Sequence, residues 1–467
     1  MSLAKFLLFS LGASASFIRP SNYGRSEVVN TDVVIIGGGA SGAYGAVRVQ
    51  DMGKKFLLIE KEDRLGGHTS TWRDPVTGNP FDYGVEVFMN MTISRDFFAR
   101  FNVATQAPVF GASQTLYADF RDGQVVNYTA PSQEEMNAAL RRLAVEWNKY
   151  ESMILPTSSG FPAGNQIPED LLLPWAEFAR KYDVEAATSR IWGAVVIDPR
   201  TSRMIDMWKG MDPSVLRGTM QPVSSNNSEI FGKMTEYLGQ NVWFESQVVS
   251  SKRSAKGVQL QVRRKDGSMT TINAKRLLIS AGPETLTREV FDLDATEEKL
   301  LHSHTGDRYF VGIVAHPSLP AYAVFNSLPE AAPANHGITP VIPFLQSFNF
   351  IGNSSSGPLY RVVVATPMSM NMDGAKDVVR TSLQKMMDAG TLPTGDINRL
   401  DFKSFDDHGM LYRRWTVDQM RGDIIRQVNA LQGLRSTWYT GAAWAAHNAA
   451  MLWNTTETIL PRVLQGI

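Results

Sequence analysis

The feature that most constrains this chain is a β-branched apolar run that ends in three closely spaced glycines. Residues 31–36 read Thr-Asp-Val-Val-Ile-Ile, and Gly37, Gly39 and Gly42 follow them. Such a run predicts a central parallel strand that is buried on both faces. Gly37 can take the tight turn, Gly39 leaves room for a pyrophosphate against the backbone, and Gly42 lets a helix pack closely on the strand. The pattern therefore predicts a strand, a turn and a helix that hold a dinucleotide.

The residues after the glycines support the same interpretation. A helix is predicted from about Ser41 to Met52, and its free N–H groups, starting at Ala40, would point at the phosphate. A second apolar run, residues 56–59, ends at Glu60, whose two carboxylate oxygens can accept hydrogen bonds from both hydroxyls of a ribose. Glycine turns between a strand and a helix also occur for packing reasons alone, without a bound dinucleotide. Strand, glycines, helix, second strand and terminal acid in this order indicate a dinucleotide site.

A second glycine pair narrows the dinucleotide to FAD. Arg64-Leu65-Gly66-Gly67-His68-Thr69 comes shortly after the acid. This segment resembles the flavin amine oxidase-like superfamily, whose members carry R-x-G-G followed by a small polar residue. The resemblance implies that the two glycines lie along the pyrophosphate and the ribityl chain. Further cofactor contacts that it implies are at Lys61, Arg64, His68, Thr69, Gly84, Val248, Ala281, Gly441, Ala442, Met451 and Leu452.

Later segments extend the resemblance over nearly the whole chain. Phe81-Asp82-Tyr83-Gly84 resembles a D-x-G element of the superfamily, residues 274–283 resemble the strand that returns beneath the adenine, and residues 437–443 resemble the closing flavin motif. A closer resemblance is to fungal secreted flavoproteins of the β-cyclopiazonate dehydrogenase type. It rests on Gly66-Gly67-His68 in place of G-G-R and on residues 431–437, 439–443 and 452–457. Relatives tend to carry an acid where this chain has Asn448, so one polar contact near the flavin is expected to differ.

The expected fold class is α/β, with a discontinuous Rossmann-like FAD-binding domain of the glutathione reductase and amine oxidase type and an inserted α+β substrate domain. We expect residues 28–110, 223–305 and 400–467 in the FAD-binding domain, and residues 111–222 and 306–399 in the substrate domain. Local patterns predict a helix that Ser132 caps, a helix over 168–181 and a strand over 243–250.

Composition excludes other classes of function. The 467 residues include 46 Lys and Arg and 46 Asp and Glu, so the net charge is zero and nucleic acid is not expected as a partner. Because there is no cysteine, a thioether-linked flavin, a redox-active dithiol and a cysteine nucleophile are excluded. The seven histidines lack the spacing of a metal site, so no metal is expected.

The N-terminal residues predict secretion. Residues 1–16 contain one cation, Lys5, an apolar stretch and a series of small residues, as in a signal peptide that is cut near Ala15. The alternative is an uncleaved apolar leader. No stable membrane span is expected, because the run is too short and no later segment is apolar enough. Five glycosylation sequons give weak support for a secreted or luminal location: Asn90, Asn127, Asn226, Asn353 and Asn454.

The catalytic candidates are His68, His408, Tyr412 and Trp444. His68 follows the second glycine pair and is expected beside the flavin, with a covalent link as a less favoured option. His408 and Tyr412 precede the last flavin motif and resemble a histidine and tyrosine neighbourhood of the family, although a plain surface turn is an equal alternative. Trp444 is expected to contact an apolar substrate, the alternative being core packing.

The expected function is that of an FAD-dependent oxidoreductase. No second strand, glycine and helix pattern follows Gly42, so a bound nicotinamide is not expected to reduce the flavin. The resemblance implies that two electrons pass, as hydride to flavin N5, from an apolar small molecule that is a secondary metabolite, and that ring closure can accompany this. A redox-neutral isomerase of polyunsaturated substrates and a flavin-holding scaffold without turnover are the alternatives. The substrate, the electron acceptor and the oligomeric state stay open.

Overall fold

The structure is a computed structural model that describes residues 27–108, 114–194, 196–199, 202–210, 218–331 and 339–467. The predicted signal peptide, residues 1–16, lies outside the described residues. Within those ranges, no helix has both the length and the apolar character needed to cross a membrane.

The strands of the described ranges are β1 (Glu27–Ile36), β2 (Phe56–Ile59), β3 (Thr71–Arg73), β4 (Pro80–Asp82), β5 (Phe88–Met89), β6 (Thr105–Gln106), β7 (Thr115–Ala118), β8 (Thr219–Pro222), β9 (Val242–Trp243), β10 (Gln247–Ser254), β11 (Gly257–Arg263), β12 (Met269–Ile279), β13 (Thr305–Ala315), β14 (Ala323–Asn326), β15 (Phe344–Ser354), β16 (Gly357–Thr366), β17 (Asp401–Arg414) and β18 (Thr437–Tyr439).

The α-helices of the same ranges are α1 (Ala40–Asp51), α2 (Thr92–Arg100), α3 (Gln133–Asn148), α4 (Glu151–Ile154), α5 (Glu169–Leu172), α6 (Trp175–Lys181), α7 (Ala187–Ala194), α8 (Met204–Gly210), α9 (Glu229–Leu238), α10 (Arg288–Phe291), α11 (Ala295–Leu301), α12 (Met372–Asp388), α13 (Val417–Arg421), α14 (Ile424–Asn429) and α15 (Ala449–Leu464).

A seven-stranded sheet is the centre of the first lobe. Its order is β10-β11-β12-β1-β2-β9, and β18 pairs with the last residues of β12. β1 runs parallel to both β2 and β12, with Ile36 opposite Ile59 and Ile279. The carboxyl ends of three strands therefore lie side by side, at the edge of the sheet where α/β proteins bind ligands.

Both faces of this sheet are covered. On one face Val33 and Ile35 pack against α1, α2, α9 and α15. On the other face Val34 packs with Leu57 and the helices α3 to α8. Val33, Val34 and Ile35 are fully buried, which confirms the two-sided strand that the β-branched run predicts.

A six-stranded sheet forms the second lobe. Its order is β17-β13-β16-β15-β14-β7, and the pairs are antiparallel except for β7 with β14. Helix α12 covers one face through residues such as Leu383 and Met386. The other face, which we call the inner face, carries Tyr309, Leu359 and Val363 and packs with Tyr83 of the first lobe. The inner face is thus turned towards the first lobe.

The boundary predicted at residue 400 differs from the observed strand pairing. β17 pairs with β13 from Asp401 to Arg414, so this segment belongs to the second sheet and not to the seven-stranded one. The closing flavin motif does return to the seven-stranded sheet, but only at Thr437 in β18. A strand's own residues do not specify which strand it pairs with, and this explains the shifted boundary.

Two local predictions also need correction. The helix expected over 168–181 is split into α5 and α6, because Pro174 has no N–H to donate and forces Leu173 into an extended conformation with ψ near 140°. The strand expected over 243–250 is interrupted between β9 and β10, where Glu245 has a φ of +48°. The predicted cap at Ser132 is confirmed, since Ser132 and Glu135 form a capping box.

Candidate functional site

The first glycine turn lies at the carboxyl end of β1. Gly37 has a φ of +95°, a conformation that favours glycine. The Ser280 hydroxyl, just after β12, donates to the Gly37 carbonyl over 2.8 Å and so ties the turn to the neighbouring strand. A Cβ on Gly42 would lie 1.9 Å from the Gly37 oxygen, so only glycine allows the helix this close to the turn. Ser280 was not among the predicted site residues, although it lies within residues 274–283, which resemble the strand beneath the adenine.

The N-terminus of α1 points out of this turn. The first hydrogen bond within the helix runs from the Ala43 N–H to the Gly39 carbonyl over 2.9 Å, so the N–H groups of residues 40–42 have no partner in the helix. The Ser41 hydroxyl is buried and has no hydrogen-bond partner. A Cβ on Gly39 would meet only the Gly67 Cα, at 3.8 Å. Free donors beside open space fit the pyrophosphate of a dinucleotide.

Glu60 lies where the sequence predicts a ribose-binding acid. It follows β2 directly and is only 6% exposed. One carboxylate oxygen accepts the Gly38 N–H, and the other accepts the Glu62 N–H over 2.8 Å. An ionised carboxylate has about four acceptor positions, so Glu60 keeps capacity for ribose hydroxyls while it holds the glycine turn.

The second glycine pair packs directly on the first turn. The Gly66 N–H donates to the Gly38 carbonyl over 2.9 Å, and Gly66 and Gly67 both have positive φ. Arg64 braces the loop from outside, because its guanidinium donates to the Thr69 carbonyl over 2.7 Å. The two glycine turns and the start of α1 therefore form one continuous backbone surface that can accommodate FAD.

Gly84 sets the position of the loop that carries His68. The Val85 N–H donates to the His68 carbonyl over 3.1 Å, and a Cβ on Gly84 would lie 2.0 Å from that same oxygen. The Tyr83 hydroxyl and the Ser70 hydroxyl both donate to Asp406 on β17, over 2.7 Å and 2.9 Å. The D-x-G element thus joins the flavin half to the second sheet.

The remaining predicted cofactor residues divide into three groups. Val248 is buried in β10, Ala281 follows β12, and Gly441 and Ala442 follow β18, all in or next to the seven-stranded sheet. Met451 and Leu452 lie in the first turn of α15, where the Asn448 side chain accepts the Met451 N–H over 3.0 Å. The side chain of Lys61 is 76% exposed and pairs with Glu62 on the surface.

Two predicted catalytic histidines are brought together across the lobes. The rings of His68 and His408 stack with their centres 4.4 Å apart. Burial lowers the pKa of His68 to about 4 and the pKa of His408 well below its usual value. His68 lies deep in the protein, but the residue is nevertheless accessible to solvent. A residue that is deep in the protein and still accessible lines an internal space, and this space adjoins the second glycine pair.

Two further groups extend this space. The Tyr412 ring lies 4.9 Å from the ring of His447, and burial lowers the pKa of His447 well below its usual value. Burial also raises the pKa of Tyr412 to about 12, so its hydroxyl stays protonated. Nearby, the guanidinium of Arg413 forms an ion pair with Glu284, with Nε and Oε2 2.9 Å apart. These residues come from three separate parts of the chain.

Several of these residues were missed by sequence reasoning. The sequence assigned no role to His447, and Arg413 and Glu284 carry no local signal. Lys209 was also missed. Its ammonium donates to the Arg413 carbonyl over 3.2 Å, and burial lowers its pKa. Trp444 was predicted as a substrate contact, but here it is 8% exposed, stacks on Tyr439 at 4.9 Å and belongs to the buried cluster that contains Val34 and Leu57. Its contacts in this structure are those of a packing residue, and a substrate contact stays a prediction.

Together, the two glycine turns, the start of α1 and the acid after β2 define a dinucleotide-binding protein of the Rossmann type. A model of NAD(P)-binding Rossmann-like domains matches residues 35–102. No cluster of metal-ligating side chains occurs within the described residues.

Comparison with known proteins extends this class to the full chain. The chain is 32% identical over 479 residues to the FAD-dependent oxidoreductase dbaF of Emericella nidulans, covering 99% of this chain and 97% of that protein. It is 25% identical to Beta-cyclopiazonate dehydrogenase of Aspergillus flavus, covering 99% and 98% of the two chains. The protein therefore belongs to this family of FAD-dependent oxidoreductases, and FAD is its cofactor.

Solved structures agree on the fold. A fatty acid isomerase from P. acnes superposes with a TM-score of 0.71 at 14% identity, covering 93% of this chain and 99% of that one. An engineered putrescine oxidase superposes with a TM-score of 0.64 at 15% identity, covering 93% and 98%. The expected α/β class, with a Rossmann-like domain of the flavin amine oxidase type, is confirmed.

Proposed function

We propose that this protein removes two electrons from an apolar small molecule, a secondary metabolite, and that His68 takes up the proton which this oxidation releases. The observation that carries the proposal is the stacked pair of His68 and His408 in an accessible space beside the second glycine pair. The name of one relative, Beta-cyclopiazonate dehydrogenase, supports an oxidation of this kind.

The cofactor is held mainly by backbone. The N–H groups at the start of α1 would hold the pyrophosphate, Glu60 would accept hydrogen bonds from the ribose, and the backbone of Gly66 and Gly67 would contact the rest of the cofactor. When bound, FAD supplies a two-electron acceptor for the hydride of the substrate. The remaining task of the protein is to orient the substrate and to accept one proton.

His68 is placed to accept that proton and to pass it on. A hydrogen bond between its ring and the backbone of His408 favours protonation of His68 in part, as a ring N–H that donates to a carbonyl would. The second ring nitrogen then keeps a lone pair. Burial and the positive charge of Arg413 keep the pKa of His68 at about 4, so the imidazole is neutral near pH 7 and has a lone pair that can accept a proton, and it releases that proton readily afterwards.

The partly buried residues that pack on the inner face, Leu411 and Tyr412 among them, would supply apolar surface for the substrate, since the centre of that cluster is itself buried. Tyr309, Val311 and Val363 form one cluster with Trp192, and Tyr412 packs against it. The Tyr309 and Tyr412 rings meet edge to face at 5.5 Å. Apolar surface with a few polar groups is typical of sites that bind small molecules. Coupled ring closure would be a consequence of how this surface folds the substrate.

Anaerobic reduction tests the proposal directly. The FAD-loaded protein is mixed with candidate metabolites without oxygen, flavin absorbance is recorded, and oxygen is then admitted. We expect bleaching by the substrate and a pKa near that of His68 in the rate of bleaching. The matched variants are His68→Asn and His302→Asn, since His302 lies on an exposed turn after α11. Slower bleaching in His68→Asn, with a normal rate in His302→Asn, would support the role of His68.

Other outcomes favour the alternative functions. Conversion of a polyunsaturated compound without net bleaching or oxygen use would indicate an isomerase. A flavin that neither any ligand nor dithionite reduces would indicate a scaffold without turnover. Both results would contradict the proposed oxidation.

We also propose that the protein is secreted, on the basis of residues 1–16 and the sequons. Asn127 and Asn353 are exposed, whereas Asn226 is buried and its side chain accepts the Ser228 N–H over 3.1 Å. Expression in a eukaryotic host should yield protein in the medium that begins near Ser16, with glycans at Asn127 and Asn353 and none at Asn226. An intact Met1 on cytosolic protein would contradict this.

A further inference from the structure

One charged side chain interrupts the apolar inner face. Successive side chains of a strand alternate between its two faces, so Arg361 on β16 shares a face with Leu359 and Val363. Both of these neighbours are buried in the apolar cluster of the inner face. Arg361 itself is 13% exposed. A largely buried guanidinium within apolar surroundings requires partners.

The partners of Arg361 do not use all of its donors. A guanidinium has five N–H donors. Glu86 forms an ion pair with one terminal nitrogen of Arg361, while the Nε of Arg361 is buried and has no hydrogen-bond partner. Buried donors that lack a partner are rare in folded proteins because they lose their bonds to water. The guanidinium can therefore donate to a further oxygen.

Arg361 is also close to the proposed reaction site. Burial is the main cause of the lowered pKa of His408, and the nearby groups of His68, Arg64 and Arg361 lower this pKa further. The charge of Arg361 likewise favours ionisation of Tyr412, against the larger effect of burial. Tyr412 also packs against the cluster that contains Leu359 and Val363, the two neighbours of Arg361 on this face, so Arg361 and Tyr412 lie on the same side of the second sheet.

We infer that Arg361 binds an anionic oxygen of the substrate, which places the substrates among apolar molecules that carry one carboxylate or equally acidic enol. This inference rests on the proposed function and names the class of its substrate. The inner face would hold the apolar body, and Arg361 would hold the acidic end and so fix which carbon faces the flavin.

A structural role is the competing explanation, since Arg361 and Glu86 join the two lobes. The two explanations predict different behaviour of the partner. If Arg361 binds the substrate, Glu86→Gln frees the guanidinium and strengthens binding of an acid. If the ion pair only stabilises the fold, Glu86→Gln and Arg361→Met should have the same effect on binding. Neither substitution should then change the affinity for an acid relative to that for its ester.

The experiment measures binding of two unreactive probes to the FAD-loaded protein, decanoate and methyl decanoate, by titration calorimetry and by the change in flavin absorbance. The variants are Arg361→Met, Arg361→Lys and Glu86→Gln. Arg288→Met is the matched control, because Arg288 pairs with Glu298 at an exposed position with 52% of its side chain accessible. Flavin content and melting temperature are recorded for each variant.

We expect the wild type to bind decanoate more tightly than the ester. Arg361→Met should weaken decanoate binding by about 10- to 100-fold, the loss of one hydrogen bond to a charged group, and leave the ester unchanged. Arg361→Lys should restore part of the preference, and Glu86→Gln should increase it. If Arg361→Met does not fold, the Lys and Gln variants give the same comparison.

Equal binding of acid and ester by the wild type, absence of binding by both, or equal weakening of both in Arg361→Met would overturn the inference. So would a Glu86→Gln variant that loses its preference for the acid. Failure of the proposed function gives a separate signal, since it would be seen as a flavin that no substrate reduces, whatever the binding of the two probes.

Discussion

Substitutions at Gly39 and Gly42, which are three residues apart, should separate an effect on cofactor affinity from an effect on the stability of the fold. In Gly42→Ala the new Cβ would lie 1.9 Å from the Gly37 oxygen and 2.5 Å from the Ser280 hydroxyl, both below the 3.0 Å that real Cβ contacts keep. The helix must therefore move away from the turn. Overpacking of this kind costs about 1–3 kcal/mol of the free energy of unfolding, or more where backbone has to shift.

Gly39→Ala should behave in the opposite way. The nearest atom to its new Cβ is the Gly67 Cα at 3.8 Å, an ordinary van der Waals contact, and the φ of −67° suits any residue. The free energy of unfolding of the apoprotein should fall by less than about 1 kcal/mol, the cost of replacing glycine at a helix N-cap. The methyl group fills the space in front of the free N–H groups of α1. Loss of one hydrogen bond to the phosphates would weaken FAD binding about 10- to 150-fold.

Urea unfolding of the apoproteins and titration with FAD, followed by flavin fluorescence, measure the two quantities. Gly232→Ala is the control, because Gly232 lies on an exposed face of α9 with no atom within 4 Å of its Cβ. This variant should gain about 0.5–1 kcal/mol of stability and bind FAD normally. Normal FAD affinity in Gly39→Ala, or equal destabilisation by the Gly39 and Gly42 variants, would refute the assignment of the pyrophosphate site.

Three further predictions concern the histidines and Trp444. His68→Ala should still bind FAD and acid precipitation of the wild type should release all of the flavin, as expected for a non-covalent contact; flavin that stays in the pellet would mean a covalent link. Stability of the apoprotein to urea should fall as the pH drops from 6.5 towards 4, because burial lowers the pKa of His304 to about 3 and only the unfolded chain takes up this proton. This histidine alone should make the free energy of unfolding change by about 1.4 kcal/mol per pH unit, and His304→Gln should remove this contribution. An unchanged pH dependence in the variant would show that His304 is not the cause. Trp444→Ala should lower the free energy of unfolding by about 3–5 kcal/mol, since the side chain is buried against Tyr439, and a melting temperature equal to that of the wild type would show that it does not pack as described.

The sequence by itself determined the cofactor half of the protein. Three features could be predicted: the strand before Gly37, the helix after Gly39 and the acid at Glu60. Their contacts are made by backbone groups that are close in the sequence, so the local geometry determines which residue type each position needs. The second glycine pair belongs with them, since a few residues of fixed spacing form the whole contact. Such local requirements leave a pattern that can be read without knowing the rest of the fold.

Only the tertiary structure decided which residues share the reaction site and the inner face. His68 and His408 are far apart in the chain and meet because β17 joins the second sheet, whereas the sequence placed residues 400–467 with the flavin. Arg361 and Glu86 likewise come from different lobes, and neither is part of a motif. Trp444 could not be assigned to core or pocket from its residue type alone. Strand partners and burial depend on the packing of the whole chain, and long-range packing leaves no periodic or spaced signal in a single sequence.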